Sequence, residues 1–139
     1  MPPLADVLVD RPRILFVGIN PCLASAVARD HFASPGNPFW RLLHASGIVP
    51  EPIGALDDGR LAEWGYALTN VCARATRSAA ELSPDELRRG SERLGQKIGR
   101  IRPDVVAFVG LTIYARFFGA AATPGAGAKP QRIAGARVF

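Results

Sequence analysis

Two short runs constrain the architecture most: ILFVG at residues 14–18 and DVVAFVG at residues 104–110. Neither alternates polar with apolar positions, as a strand with one wet face does, so each needs apolar cover on both sides. Helices on the two faces of a sheet supply that cover, and such helices join strands that run parallel. The intervening segments fit this pattern. NPFWRLLHASG reads as a helix with Asn37 as N-cap, Pro38 at its first position and Gly47 as its stop, its apolar face being Phe39, Leu42, Leu43 and Ala45. A weaker helix falls within residues 55–64, and the strand YALTN follows it. SPDEL opens the clearest helix: Ser83 caps, Pro84 starts the first turn, and Glu86 sits where a capping box requires it. Leu87, Leu94, Ile98 and Ile101 share one side of that helix, and Pro103 ends it. LTIYARFFG is a short helix and RIAGARVF a further strand, while residues 21–36 and GAAATPGAGAKPQ read as loops, the second of them flexible. The expected fold class is therefore α/β: three layers, α/β/α, around a mostly parallel sheet, in one domain spanning residues 1–139 with residues 1–12 as an N-terminal extension.

Composition narrows the function classes. No apolar run approaches the roughly 18 to 20 residues that span a bilayer, and MPPLADVLVDRPR lacks the basic-then-apolar order of a signal peptide, so the chain is expected to be cytoplasmic and not bound to membrane. Cys22 and Cys72 are too few for an iron–sulfur cluster or a four-cysteine zinc site, and each is expected to be a small buried residue. With only His31 and His44 besides, neither a metal site nor a cofactor is expected. Lysine and arginine number 17 against 12 acids, a net charge of +5. That balance suits a polyanionic partner, and it equally suits an arginine-rich soluble surface, because the charge is spread along the chain. Arg88, Arg89, Arg93, Lys97 and Arg100 read as the solvated face of their helix.

The chemistry-bearing feature is the way the first strand ends, on Gly18-Ile19-Asn20-Pro21. In a parallel sheet, ligands bind outside the carboxyl ends of the strands. Pro21 restricts Asn20 to an extended backbone and removes an N–H from the ladder, so the Asn20 side chain leaves the strand end in a fixed direction. Gly18 permits close backbone approach. A carboxamide neither abstracts protons nor attacks, but it donates and accepts at once and can hold a small molecule in place. Asn70 ends a second strand at the same edge. Taken alone, Asn20-Pro21 is also an ordinary turn opener.

The ordered set GINPCLASA, HFASPGNPFWRLLHASGI, ALTNVCARATRSAAELSPDELRRG and KIGRIRPDVVAFVG resembles the mismatch-specific uracil/thymine DNA glycosylase family over essentially the whole chain from Arg13 onward. The resemblance implies a uracil-DNA glycosylase-like α/β/α domain. It would act as a monomer on double-stranded DNA containing G·U or G·T mismatches, flip the uracil or thymine out, and hydrolyse its N-glycosidic bond. It implies that Asn20 is the catalytic residue and positions the attacking water. Phe32 would stack on the flipped base, backbone groups around Ile19, between Gly18 and Pro21, would read the base edge, and Asn70 would border the pocket. Cys22 stands where the family usually has glycine. The family's later Asn-Pro-Ser segment, which enters the duplex, has no counterpart here, so the fold is expected to lack that loop and the last helix. Two other readings share these motifs: a DNA- or nucleotide-binding domain without turnover, and an inactive fragment of such a glycosylase.

Overall fold

The computed structural model describes residues 3–139. Among these residues five strands form one sheet: β1 (Ile14–Gly18), β2 (Tyr66–Asn70), β3 (Val105–Phe108), β4 (Arg132–Ile133) and β5 (Ala136–Val138), in the order β2-β1-β3-β5-β4. All neighbours are parallel except the β4/β5 pair. The α-helices of the described residues are α1 (Leu23–Ala28), α2 (Phe39–Ala45), α3 (Pro84–Ile101) and α4 (Leu111–Phe118). From β1 the chain moves to β2 on one side and then crosses to β3 on the other, which makes the carboxyl end of β1 the switch point of the sheet.

The apolar strands are divided by parity between two cores. Leu15 and Val17 face α3 and α4 with Ala67, Leu94, Ile98, Val106 and Ile113. Phe16 faces the opposite way, with Leu68, Phe39, Trp40, Leu43 and Leu61. The three-layer expectation therefore holds, and it holds because adjacent strand residues point to opposite faces. The α3 reading also holds. Ser83 Oγ accepts from Glu86 N at 3.0 Å, Glu86 Oε1 accepts from Ser83 N at 3.2 Å, and Leu87, Leu94, Ile98 and Ile101 are buried. Asn37 helps open α2 through its side chain, which accepts from Phe39 N at 3.0 Å, although the helix itself begins at Phe39. Leu42 on this helix is 51% exposed, on the rim of an apolar groove of about 590 Å³ that Phe16, Phe39, Leu43, Ala107 and Phe108 line.

Several local expectations are corrected. Residues 21–36 contain the helix α1, which has no apolar period because most of its residues are small, and which starts where Cys22 Sγ accepts from Ser25 N. RIAGARVF is a hairpin and not one strand, since Ala134 and Gly135 both take positive φ (48° and 84°), the backbone of a tight two-residue turn. Residues 55–64 form 3₁₀ turns with a kink at Asp57. The segment expected to be a flexible loop is pinned: Tyr114 OH accepts from Thr123 N at 3.0 Å and donates to Gln131 at 2.8 Å, and the Lys129 ammonium lies 4.5 Å from the Tyr114 ring centre. Cys72 is buried, whereas Cys22 is half-exposed, because the Cys22 side chain is used as a helix cap. The N-terminal residues extend the sheet edge, with Val7 exchanging backbone hydrogen bonds with Leu68 at 3.0 and 2.8 Å. Among the described residues no helix is long and apolar enough to cross a membrane.

Candidate active site

The ends of β1 and β2 lie side by side, Gly18 opposite Asn70. Beyond them the two chains stay together: Val71 N donates to Gly18 O at 2.9 Å, Cys72 N to Ile19 O at 2.8 Å, and Thr76 N to Pro21 O at 3.2 Å. The segment after β2 thus forms a wall along the GINP turn. The amides of Ile19 and Asn20, past the last ladder bond, donate to no acceptor among the described residues.

Asn20 meets this wall through one end of its amide. Its Nδ2 donates to Arg74 O at 2.9 Å and to Thr76 Oγ1 at 2.8 Å. Thr76 spends its own proton on Ser78 O at 2.8 Å, so its oxygen faces Asn20 as an acceptor. Both partners accept, which determines which end of the carboxamide is the nitrogen. The two N–H groups are saturated, and Oδ1 has no partner among the described residues. No carboxylate bonds to Asn20 among the described residues. Thr76, 4% exposed, is a residue that sequence reasoning missed. Its hydroxyl matters only because the fold brings residues 20 and 76 together, and no local pattern signals that.

Phe32 approaches from the loop after α1. Its backbone is left-handed, φ 52°, which is uncommon for a bulky residue and has to be held by its surroundings. His31 N donates to Asp58 Oδ2 at 2.8 Å on one side, and Ala33 N to Ser25 Oγ at 3.0 Å on the other. Trp40 Nε1 donates to His31 O at 3.1 Å, and Ser34 Oγ lies 2.9 Å from Cys22 Sγ. Burial pushes the Cys22 thiol up, but hydrogen bonds from Ser25 and Ser34 outweigh it and bring the group below the ordinary thiol value. One face of the Phe32 ring is backed by Phe39, with centroids 4.1 Å apart and planes 35° apart.

Gly18 explains how these groups fit together. A Cβ there would stand 2.5 Å from Asn70 Oδ1 and 3.5 Å from the Phe32 ring. The space over the glycine is filled by the protein's own amide and aromatic ring. The structure therefore brings Gly18, Phe32 and Asn70 together, leaves Ile19 and Asn20 half-buried on the chain that continues from Gly18, and buries Pro21. Among the described residues no cluster of histidine, cysteine and acidic side chains could hold a metal ion.

A mostly parallel α/β sheet with an amide, an aromatic ring and backbone donors at its switch point offers the groups with which a small planar or polar ligand can be held at a strand end. The sequence model of the Uracil DNA glycosylase superfamily matches residues 5–137, and the chain belongs to that superfamily. A G/U mismatch-specific uracil DNA glycosylase of Schizosaccharomyces pombe is 35% identical over 106 residues, which are 75% of this chain and 33% of that relative. The matched region thus amounts to about a third of the relative's length.

Proposed function

We propose that the chain is a monofunctional DNA glycosylase that extrudes uracil, or a mispaired thymine, from G·U or G·T DNA and hydrolyses its N-glycosidic bond. One observation carries the reading: just past Gly18, which meets Phe32 and Asn70 at the switch point, Asn20 is held with both N–H groups engaged and, among the described residues, no partner on Oδ1. A water donating to Oδ1 would keep its lone pair free for the sugar carbon, so the contribution of Asn20 is orientation and not proton abstraction. The departing base carries developing negative charge, and the free N–H groups of Ile19 and Asn20 are fixed donors of the kind that stabilise it. Phe32, rigid through its Phe39 backing, offers its other face for stacking. Without a general base the reaction should be slow, and extrusion should favour weakly paired bases. The S. pombe relative, a G/U mismatch-specific uracil DNA glycosylase, supports the same substrate class.

The test is base release under single-turnover conditions from duplexes containing G·U, G·T and A·U, and from single-stranded uracil DNA. Release fastest from G·U supports the reading. DNA binding with no release from any substrate at high enzyme would replace it with a binding domain that has no turnover.

A further inference from the structure

We propose that Glu86 and Arg74 form a relay that sets the orientation of the Asn20 carboxamide, so that a carboxylate on α3 acts as a positioning residue for chemistry at the end of β1. This rests on Asn20 being the water-holding group. Arg74 faces both ways. Its backbone carbonyl accepts from Asn20 Nδ2 at 2.9 Å, while its guanidinium reaches α3, with Nε to Glu86 Oε2 at 2.8 Å and Nη2 to Glu86 Oε1 at 3.0 Å. The same Nη2 also donates to Glu81 O at 3.2 Å. A two-point fork between guanidinium and carboxylate fixes a plane as well as a distance.

Glu86 is itself fixed, because its carboxylate closes the capping box of α3 on Ser83. Residue 74 is thereby tied to the start of an 18-residue helix. The other arginine pairs of α3 do not do this: Arg88 and Arg89 bond Asp85 and Glu92 within the same helix. Release of the fork would leave the Arg74 peptide free to rotate its carbonyl away from Nδ2. Asn20 would then lose one of the two acceptors that fix its carboxamide. The Arg74 side chain is 52% exposed and that of Glu86 26%, so solvent screens the pair's charge attraction, and its distinctive effect is on the geometry of residue 74.

The experiment uses the full chain with Glu86→Ala, Glu86→Gln, Arg74→Ala, Arg74→Lys and the Arg74→Ala/Glu86→Ala double variant. Two quantities are measured: single-turnover uracil release from a G·U duplex at saturating enzyme, and the Asn20 side-chain amide signals in a ¹H–¹⁵N spectrum, identified by their absence in Asn20→Ala. Expected are a roughly 10- to 100-fold slower release in each alanine variant, a double variant no slower than the slower single one, and shifted, faster-exchanging Asn20 amide protons. Duplex affinity should not weaken in Glu86→Ala, which removes a negative charge. Arg74→Lys should stay slow, since it keeps the charge and loses the fork; if lysine restored the rate, Arg74 would be acting on DNA phosphate and the relay would be wrong. Should Glu86→Ala unfold, Glu86→Gln answers the same question, because glutamine keeps the capping box. Unchanged rates with unmoved amide signals overturn the proposal. A wild-type chain that releases no base refutes the glycosylase reading, and the amide signals still judge the relay.

Discussion

At the scale of single residues the site depends on what is missing from Gly18. An added Cβ would meet Asn70 Oδ1 at 2.5 Å, inside contact distance, while the Phe32 ring at 3.5 Å would tolerate it. Gly18→Ala should therefore cost about 1–3 kcal/mol by urea unfolding, as an overpacked buried position does. Asn70→Ala in the same chain should recover most of that loss. If the double variant were no more stable than Gly18→Ala alone, the amide would not be the group in the way. Gly18, Asn20 and Asn70 were legible in the sequence because each stands where an apolar strand stops. The partnership of Asn20 with Thr76 and Arg74 was not. Those bonds join residues 54 and 56 positions apart, and only the pairing of the two strand ends brings them within reach. The left-handed backbone of Phe32 was equally invisible, since its cause lies in hydrogen bonds to Asp58 and Ser25 on the neighbouring residues.

At the scale of elements, α3 connects the core to the site. Gly90 lies so close to the segment after β2 that a Cβ would fall 2.3 Å from Val71 O, a backbone atom that cannot swing aside. Gly90→Ala should lift the helix and cost about 3 kcal/mol. Gly95 and Gly99 on the same helix have nothing within 4 Å of an added Cβ, so alanine at either should stabilise by about 0.5–1 kcal/mol. Thermal unfolding of the three variants checks the contrast. The start of α3 also has a pH signature. Arg74 beside Glu86 and the capping bond from Ser83 hold this carboxyl down to about 2, below its ordinary 4.5. A lowered folded-state value means that the contribution is fully present above pH 4.5 and is lost as pH falls from there toward about 2. Glu86→Gln should remove that part of the acid dependence, seen as a flatter fall of Tm with pH than in the wild type; an unchanged profile would deny the pairing. The Ser83/Glu86 box was readable because capping is a short-range code. Helix α1 and the β4/β5 hairpin were not: one begins on a cysteine cap, and the other turns at Ala134, whose positive φ a β-methyl side chain rarely signals.

At the scale of the whole molecule, two continuous apolar strands were enough to imply three layers, because only cover on both faces accommodates them. The layers are not equally closed. Between α2 and β3 the apolar groove stays open beside Leu42, and Leu42→Asp should reduce the binding of a hydrophobic dye without lowering Tm. The proposed assignment rests, in the end, on one amide. The direct test compares the chain with its Asn20→Ala variant on a G·U duplex under single-turnover conditions, with duplex binding measured on both. Release should fall by about 100-fold or more while binding is retained; equal release from the two proteins would refute the role of Asn20.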